Sequence, residues 1–99
     1  MKPLLVSEPA SQELAEAVRW YNDLGPGWGD RLLDAVAETF RLIETYPEVG
    51  SPRRGQPAAR QLTVRGFPYL VAYRLRADDV YVVAVAHARR RPGYWKNRS

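Results

Sequence analysis

Residues 80–95 read Val-Tyr-Val-Val-Ala-Val-Ala-His-Ala-Arg-Arg-Arg-Pro-Gly-Tyr-Trp, and this stretch decides the fold. Its first seven residues carry no charge and are β-branched, aromatic or small, which predicts a buried central strand over residues 80–87. The stretch then changes to His87 and three arginines before Pro92, which has no N–H with which to continue strand pairing. We therefore expect one strand to carry a cluster of cations out of the core to the end of a sheet.

Two more strands are predicted upstream of this one. From Arg60 the apolar residues alternate with polar ones, and in residues 67–75 an aromatic and aliphatic face opposes a face that contains Arg74. Residues 77–79 form the turn of a hairpin between the last two strands. Residues 48–59 hold two glycines and two prolines and are predicted to be a loop.

The first half of the chain predicts a short strand and two helices. Residues 2–7 are a candidate strand, and Ser7 can cap an amphipathic helix of about four turns. The sequence Gly25-Pro26-Gly27 ends that helix. A second helix runs from about Trp28 to Tyr46 and stops at Pro47, so the two helices should form an antiparallel hairpin.

These elements predict one α+β domain over residues 1–99, with an N-terminal strand, a helical hairpin and a three-stranded antiparallel meander. The apolar stripes of the helices need a partner, so the helices should cover one face of the sheet. The other face should be partly open and lined by the arginines of the strands.

Composition narrows the possible functions of these 99 residues. The chain has no cysteine and a single histidine, so neither a disulfide scaffold nor a transition-metal site is expected, and no cofactor is predicted. The apolar run at the N-terminus is too short for a signal peptide, and no segment has the roughly 20 apolar residues of a membrane span. We therefore expect a cytoplasmic protein with no membrane partner.

Charge is divided sharply between the two halves of the chain. Residues 1–50 hold nine acids and four bases, whereas residues 51–99 hold eleven bases and only two acids, Asp78 and Asp79. This division predicts a basic surface that meets an acidic partner. The alternative is that the arginines only solubilise a small sheet.

Three segments resemble the RelE/ParE superfamily of toxins. They are Gly66-Phe67-Pro68-Tyr69-Leu70-Val71-Ala72-Tyr73-Arg74, residues 83–92 with their His-Ala-Arg-Arg-Arg-Pro ending, and the exit from the second helix over residues 42–50. The resemblance covers nearly the whole chain. It implies the toxin of a bacterial type II toxin–antitoxin pair. Its partner would be a small acidic antitoxin with a DNA-binding N-terminus, through which alone the pair contacts operator DNA.

The superfamily has two kinds of target. ParE-like members bind DNA gyrase and are not enzymes, whereas RelE-like members enter the ribosome and cleave mRNA without a metal. A nuclease needs a base, an acid and cations around the scissile phosphate, for which His87, Arg90, Tyr94 and Arg65 are the candidates. Lysine is nearly absent and no acid lies near Arg60 in the sequence to act as a base. The Phe67-Pro68-Tyr69 strand and the ending from His87 to Pro92 also resemble the ParE-like branch more closely, so we favour the gyrase-binding branch.

The surface that touches the target is expected to lie on the strands and the tail. His87 is also compatible with a hydrogen-bonded structural role, the three consecutive arginines with a solvated run, and the whole chain with an inactive interaction module that binds an antitoxin. The candidate target-binding residues are Arg60, Arg65, Arg74, His87, Arg89, Arg90, Arg91, Tyr94 and Trp95.

Overall fold

Two helices and five strands follow one another in the computed structural model, which describes residues 2–98 and all of their side chains except those of residues 56 and 57. The strand and helices of the first half, the meander and the hairpin turn all lie where the sequence predicts them, within a few residues. In chain order the elements are β1 (Leu4–Val6), α1 (Glu8–Leu24), α2 (Trp28–Thr45), β2 (Ser51–Arg53), β3 (Gln56–Thr63), β4 (Tyr69–Leu75) and β5 (Val80–His87).

The strands form one sheet in the order β1-β5-β4-β3-β2. The predicted central strand, β5, pairs in parallel with β1, where Leu4 lies opposite Val80. It pairs in antiparallel with β4, where Tyr69 lies opposite His87. The meander from β3 to β5 is thereby confirmed, and the parallel pairing of β1 requires the helical hairpin as its crossover connection.

The helical hairpin packs on one face of this sheet, as predicted. Ser7 caps α1 by accepting a hydrogen bond from the Ala10 N–H at 3.2 Å. Gly27 precedes α2 in a left-handed conformation (φ +85°) that favours glycine. The main core lies between the helices and this face, and its fully buried members include Leu32, Val36, Ile43, Val64, Val71, Tyr73, Val80 and Val82.

The predicted loop over residues 48–59 is wrong in part, because it contains the edge strand β2 and the start of β3. Ser51 lies opposite Gln61 and Pro52 opposite Arg60. Proline is tolerated on an edge strand, where its missing N–H leaves no ladder bond unmade. The glycines and prolines that suggested a loop therefore mark a tight turn at Gly55 (φ +77°) between two short paired segments.

The prediction of a partly open second face lined by strand arginines is also wrong. The C-terminal segment, which we define as residues 88–98, folds back across this face and packs a second, smaller core against it. Trp95 is only 2% exposed and contacts a set of small buried residues: Ala59, Ala72, Val83 and Ala84. A β-bulge beside Ala72 turns both Val83 and Ala84 toward this core, which makes room for the indole.

Side chains of Tyr73 and Arg60 hydrogen-bond the backbone of the connection between α2 and β2 and fix its position. The Tyr73 hydroxyl donates to the Pro47 carbonyl at 2.8 Å and accepts from the Gly50 N–H at 2.8 Å. A Cβ at Gly50 would lie 2.6 Å from the same hydroxyl oxygen, so only glycine fits there. These bonds set the position of β2 and therefore of Arg53 at its end.

Within residues 2–98, neither helix is both long and apolar enough to cross a membrane.

We predict that Trp95→Ala destabilises the fold by about 3–5 kcal/mol, because it leaves a cavity in the smaller core that the small residues around it cannot fill. Urea unfolding followed by circular dichroism would measure this loss. Trp20→Ala is the matched control: Trp20 is 57% exposed, so its replacement should change the free energy of unfolding by only about 0.5 kcal/mol. Similar losses in the two variants would contradict the packing of the C-terminal segment on the sheet.

Candidate functional site

The C-terminal segment is fastened to the sheet by backbone carbonyls that accept bonds from Arg74. The Arg74 Nε donates to the Arg98 carbonyl at 3.0 Å and its Nη2 to the Lys96 carbonyl at 2.6 Å. Arg74 is on β4 and lies opposite Ala59 of β3. Its side chain therefore points to the face of the sheet that the C-terminal segment covers. It therefore holds the protein's own chain rather than an external ligand.

A cavity of about 200 Å³ lies between the C-terminal segment and strands β3 to β5. We call it the tail cavity. Its cations come from two sources, the end of β2 and the run of arginines after β5. It is lined by Arg53, Gln61, Leu70, Ala86, His87, Ala88, Arg90, Arg91, Pro92, Gly93, Tyr94 and Trp95.

The Arg53 side chain reaches the tail cavity from the end of the edge strand β2. Its guanidinium carbon lies 5.2 Å from the centre of the Trp95 ring, at cation–π distance. A Cβ at Gly93 would overlap this guanidinium, and Gly93 also has a positive φ of 74°. The turn therefore favours glycine at residue 93, and the absence of a Cβ there leaves room for the Arg53 side chain.

The Glu13 carboxylate of α1 is the polar centre of this end of the molecule. It accepts hydrogen bonds from the Val85 N–H at 3.1 Å, from the Tyr94 hydroxyl at 2.6 Å and from Arg98 Nη1 at 3.0 Å. Arg90 Nη1 lies 3.7 Å from it. Only 14% of the side chain is exposed, so these donors replace the water that a carboxylate loses on burial.

Burial and the hydrogen bond to Glu13 raise the pKa of Tyr94 to about 12, against the pull of Arg90 and Arg98, which lower it. The phenol is therefore neutral at physiological pH and acts as a donor to Glu13. Because the folded-state pKa exceeds the ordinary value of 10.0, this contact contributes stability that is complete below pH 10 and is lost as the pH rises through 12.

His87 lies at the junction of three openings in the surface. Its Nδ1 accepts the Arg89 N–H at 3.0 Å, so the neutral ring carries its proton on Nε2. Its ring stands edge-on to that of Tyr69, with the ring centres 5.1 Å apart. Besides the tail cavity, it lines two openings on the other side of β5 that also contact Trp20 of α1.

The structure brings together five of the nine predicted target-binding residues. His87, Arg90, Arg91, Tyr94 and Trp95 all line the tail cavity, and Arg89 lies exposed at its edge. Trp95, however, is buried and packs the smaller core, so it does not offer a free surface.

Three predicted residues lie elsewhere and have other partners. Arg60 donates to the carbonyls of Glu48 at 2.9 Å and Gly50 at 2.7 Å, on the helix side of the sheet. Arg74 holds the C-terminal segment, as described above. Arg65 lines a separate groove beside α2. Arg60 lies opposite Tyr73 and Arg74 opposite Ala59, and neighbouring positions of a sheet alternate between faces, so these two arginines lie on opposite faces.

Sequence reasoning missed Arg53 and Glu13. Arg53 was hidden by the assignment of its segment to a loop. A charged residue is expected on the exposed side of an amphipathic helix, but Glu13 lies three residues after Ala10 and four before Ala17, both of which are buried. That helical spacing was the available signal, since residues at these intervals share a face.

The separate groove, which we call the α2 groove, has a volume of about 460 Å³ and runs between α2 and β3. Apolar side chains of Ala35, Leu42 and Leu62 form its floor. Asp34 and Glu38 line it from α2 and Arg65 from the turn after β3. Leu42 is 41% exposed, a large apolar surface without a partner in residues 2–98.

No group of three or more histidine, aspartate or glutamate side chains among residues 2–98 is arranged to hold a metal ion.

Comparison with known proteins identifies the family. The model of the family described as "ParE toxin of type II toxin-antitoxin system, parDE" matches residues 4–92, nearly the whole chain. The chain belongs to the ParE toxin family. The RelE/ParE resemblance seen in the sequence is thereby confirmed, on the ParE side of the superfamily. No curated protein gave a significant match.

A solved structure supports the ParE fold. It is described as "Chromosomal ParDE TA system from P. aeruginosa", and this ParE chain superposes on one of its chains with a TM-score of 0.76. The two chains are 19% identical, and the match covers 88% of this chain and 96% of the other. At this identity the match is a likeness of fold, which agrees with the predicted α+β architecture.

We predict that Glu13→Gln lowers the pKa of Tyr94 below about 12, because the variant removes the negative charge that disfavours the tyrosinate. Alkaline stability should then be lost at a lower pH than in the wild type. Titration of tyrosinate absorbance would measure the shift, and Tyr94→Phe would assign it among the six tyrosines. Glu16→Gln, one turn further along α1, should leave the titration unchanged. An unaltered titration in Glu13→Gln would refute the contact.

Proposed function

We propose that this ParE-family toxin acts by binding DNA gyrase and blocking its reaction, without being an enzyme itself, and that a cognate antitoxin neutralises it. Family membership supports the toxin assignment, and the gyrase target extends what the ParE-like sequence pattern implies. The observation that carries the non-enzymatic part of the proposal is the contact between Tyr94 and Glu13.

In that contact the Tyr94 hydroxyl donates to Glu13 and is not free to transfer a proton to a substrate. Cleavage of RNA needs an acid and a base near the scissile phosphate, with pKa values near the working pH. Tyr94 has a pKa of about 12 and its hydroxyl already donates to Glu13. Arg90 is drawn to the same carboxylate and stacks on the Tyr94 ring, 3.8 Å from its centre. Two of the four candidate nuclease residues are thus engaged in internal contacts.

A third nuclease candidate, Arg65, lines the α2 groove rather than the tail cavity, and no aspartate or glutamate of residues 2–98 lines the tail cavity beside His87. What the surface offers instead is charge. Arg89 and Arg91 form no ion pair with a carboxylate of the described chain and are exposed beside the tail cavity. We propose that they contact an acidic surface of the target.

The α2 groove is the surface we assign to the antitoxin. Its apolar floor suits the apolar side of a helix from a second chain, since a helix laid in a groove buries residues spaced three and four apart. Asp34 favours a basic residue on the partner, whereas Glu38 already pairs with Arg41, and Arg65 favours an acidic residue at the other side. The antitoxin segment would therefore be amphipathic, with both charges flanking its apolar stripe.

We predict that the purified protein inhibits supercoiling by DNA gyrase, and that the double variant Arg89→Ala/Arg91→Ala weakens this inhibition about tenfold because two unpaired charges are removed from the contact surface. A gel assay of plasmid supercoiling gives the concentration for half inhibition. The double variant Arg19→Ala/Arg41→Ala changes the net charge equally, but it alters only exposed positions on the helices, away from the tail cavity. It should therefore inhibit like the wild type.

Each alternative function gives a different result in matched assays. Cleavage of mRNA on purified ribosomes, without an effect on gyrase, would identify a ribosome-dependent endonuclease. Normal growth on expression of the chain alone, with no effect on either target, would identify an inactive module that only binds an antitoxin.

We predict that Leu42→Glu prevents neutralisation by the antitoxin without reducing toxicity, because a charge in the α2 groove opposes apolar packing and adds to the acidic residues at its rim. Co-expression of the toxin with the antitoxin, scored by growth, would test this. Leu24→Glu is the matched control, since Leu24 is 62% exposed at the tip of the helical hairpin and outside the groove. Neutralisation of the Leu42→Glu variant at wild-type antitoxin levels would place the antitoxin elsewhere.

A further inference from the structure

The charged side chains that line the tail cavity are all positive. Arg53, Arg90 and Arg91 line it, and no aspartate or glutamate of residues 2–98 does. Of these three, only Arg90 is close to a carboxylate of the described chain, at 3.7 Å from Glu13. Guanidinium groups that converge on a space without a counter-charge repel one another, so an anion in that space would lower the electrostatic energy.

Only the fold brings Arg53 close to Arg90 and Arg91, because it lies in a distant part of the chain. Arg53 ends β2, whose position is fixed by the bonds from Tyr73 and Arg60 to the preceding loop. The aromatic face of Trp95 lies under its guanidinium, and Gly93 leaves the space that it occupies. The Arg53 side chain is therefore positioned before any ligand arrives, which reduces the entropy lost on binding.

Neutral groups in the tail cavity add hydrogen-bonding capacity without adding negative charge. Gln61 can donate through its side-chain amide, and His87, whose Nδ1 accepts the Arg89 N–H, can donate through Nε2. Planar guanidinium forks match the tetrahedral oxygens of phosphate and can bind them in pairs, which a single ammonium group cannot do. The donor set of two unpaired guanidiniums, those of Arg53 and Arg91, with one amide and one imidazole thus fits a phosphate group, and Arg90 adds positive charge beside it.

We propose that the tail cavity is a phosphate-binding site in which Arg53 and Arg91 are the principal ligands. The phosphate belongs either to a nucleic-acid backbone or to a small phosphorylated compound. The site is a property of the free protein and does not depend on gyrase being the target, so the two proposals can fail separately.

Isothermal titration calorimetry of the free protein with pyrophosphate, at low ionic strength and without divalent metal, tests the site. We expect one binding event per chain. Arg53→Ala and Arg91→Ala should each weaken binding about tenfold, the loss expected for a charge-assisted hydrogen bond. Arg54→Ala and Lys96→Ala remove the same charge from exposed residues next in sequence to Arg53 and Trp95 but outside the cavity lining, and they should change the affinity less than about twofold.

Arg91→Ala keeps the test independent of folding. The Arg91 side chain makes no hydrogen bond, ion pair or aromatic contact within residues 2–98, so its removal should leave the melting temperature unchanged, whereas Arg53→Ala also loses the contact with Trp95. Arg91→Lys keeps the charge but not the fork and should bind less tightly than the wild type. Absence of pyrophosphate binding, or equal losses in cavity variants and controls, would overturn the proposal.

A second titration separates the two sources of phosphate. If a short DNA duplex binds, is displaced by pyrophosphate and loses affinity in Arg91→Ala, then the backbone of nucleic acid occupies the tail cavity. If pyrophosphate binds with the expected variant pattern and the duplex does not, then the ligand is a small phosphorylated compound. If the duplex binds and pyrophosphate does not displace it, then the duplex is held by general surface charge and the tail cavity is not its site.

Discussion

The Glu13 carboxylate holds helix α1, strand β5 and the C-terminal segment together. Strand β1 is only three residues long and its pairing with β5 ends at Val82. Beyond that residue no strand of residues 2–98 lies on this side of β5, and backbone groups would be left unpaired. Glu13 accepts the Val85 N–H and Arg98 donates to the Val83 carbonyl, so two side chains replace the missing strand. The same two side chains bond each other, which ties α1, β5 and the C-terminal segment together.

This arrangement explains why so basic a half of the chain leaves few arginines free. Arg74 and Arg98 satisfy carbonyl groups as they fasten the C-terminal segment, and Arg60 does the same for the connection between α2 and β2. Burial of a guanidinium is tolerated because each carries several donors that backbone carbonyls can satisfy. Among the guanidiniums without such a partner, those of Arg53, Arg89 and Arg91 lie at or beside the tail cavity, whereas Arg65 lines the α2 groove.

The two surfaces that we assign to partners lie on opposite faces of the sheet. The α2 groove belongs to the helix side and has an acidic rim, whereas the tail cavity belongs to the covered side and is basic. An antitoxin in the α2 groove would therefore leave the tail cavity uncovered unless a second part of it crossed the sheet. A partner with an apolar helix and a separate acidic stretch would close both surfaces, which agrees with an acidic antitoxin.

The sequence by itself determined the helices, the meander, the family and the basic character of the tail, because periodicity, turn residues and local motifs are all encoded within a few residues of one another. It did not determine which arginines are free. That depends on contacts between residues up to 85 positions apart, such as Glu13 with Arg98, and on the return of the C-terminal segment across the sheet. The fold places a carbonyl or carboxylate beside some guanidinium groups, which then stabilise the protein, and leaves others free to bind another molecule. Which arginines belong to each group is decided only by the tertiary structure.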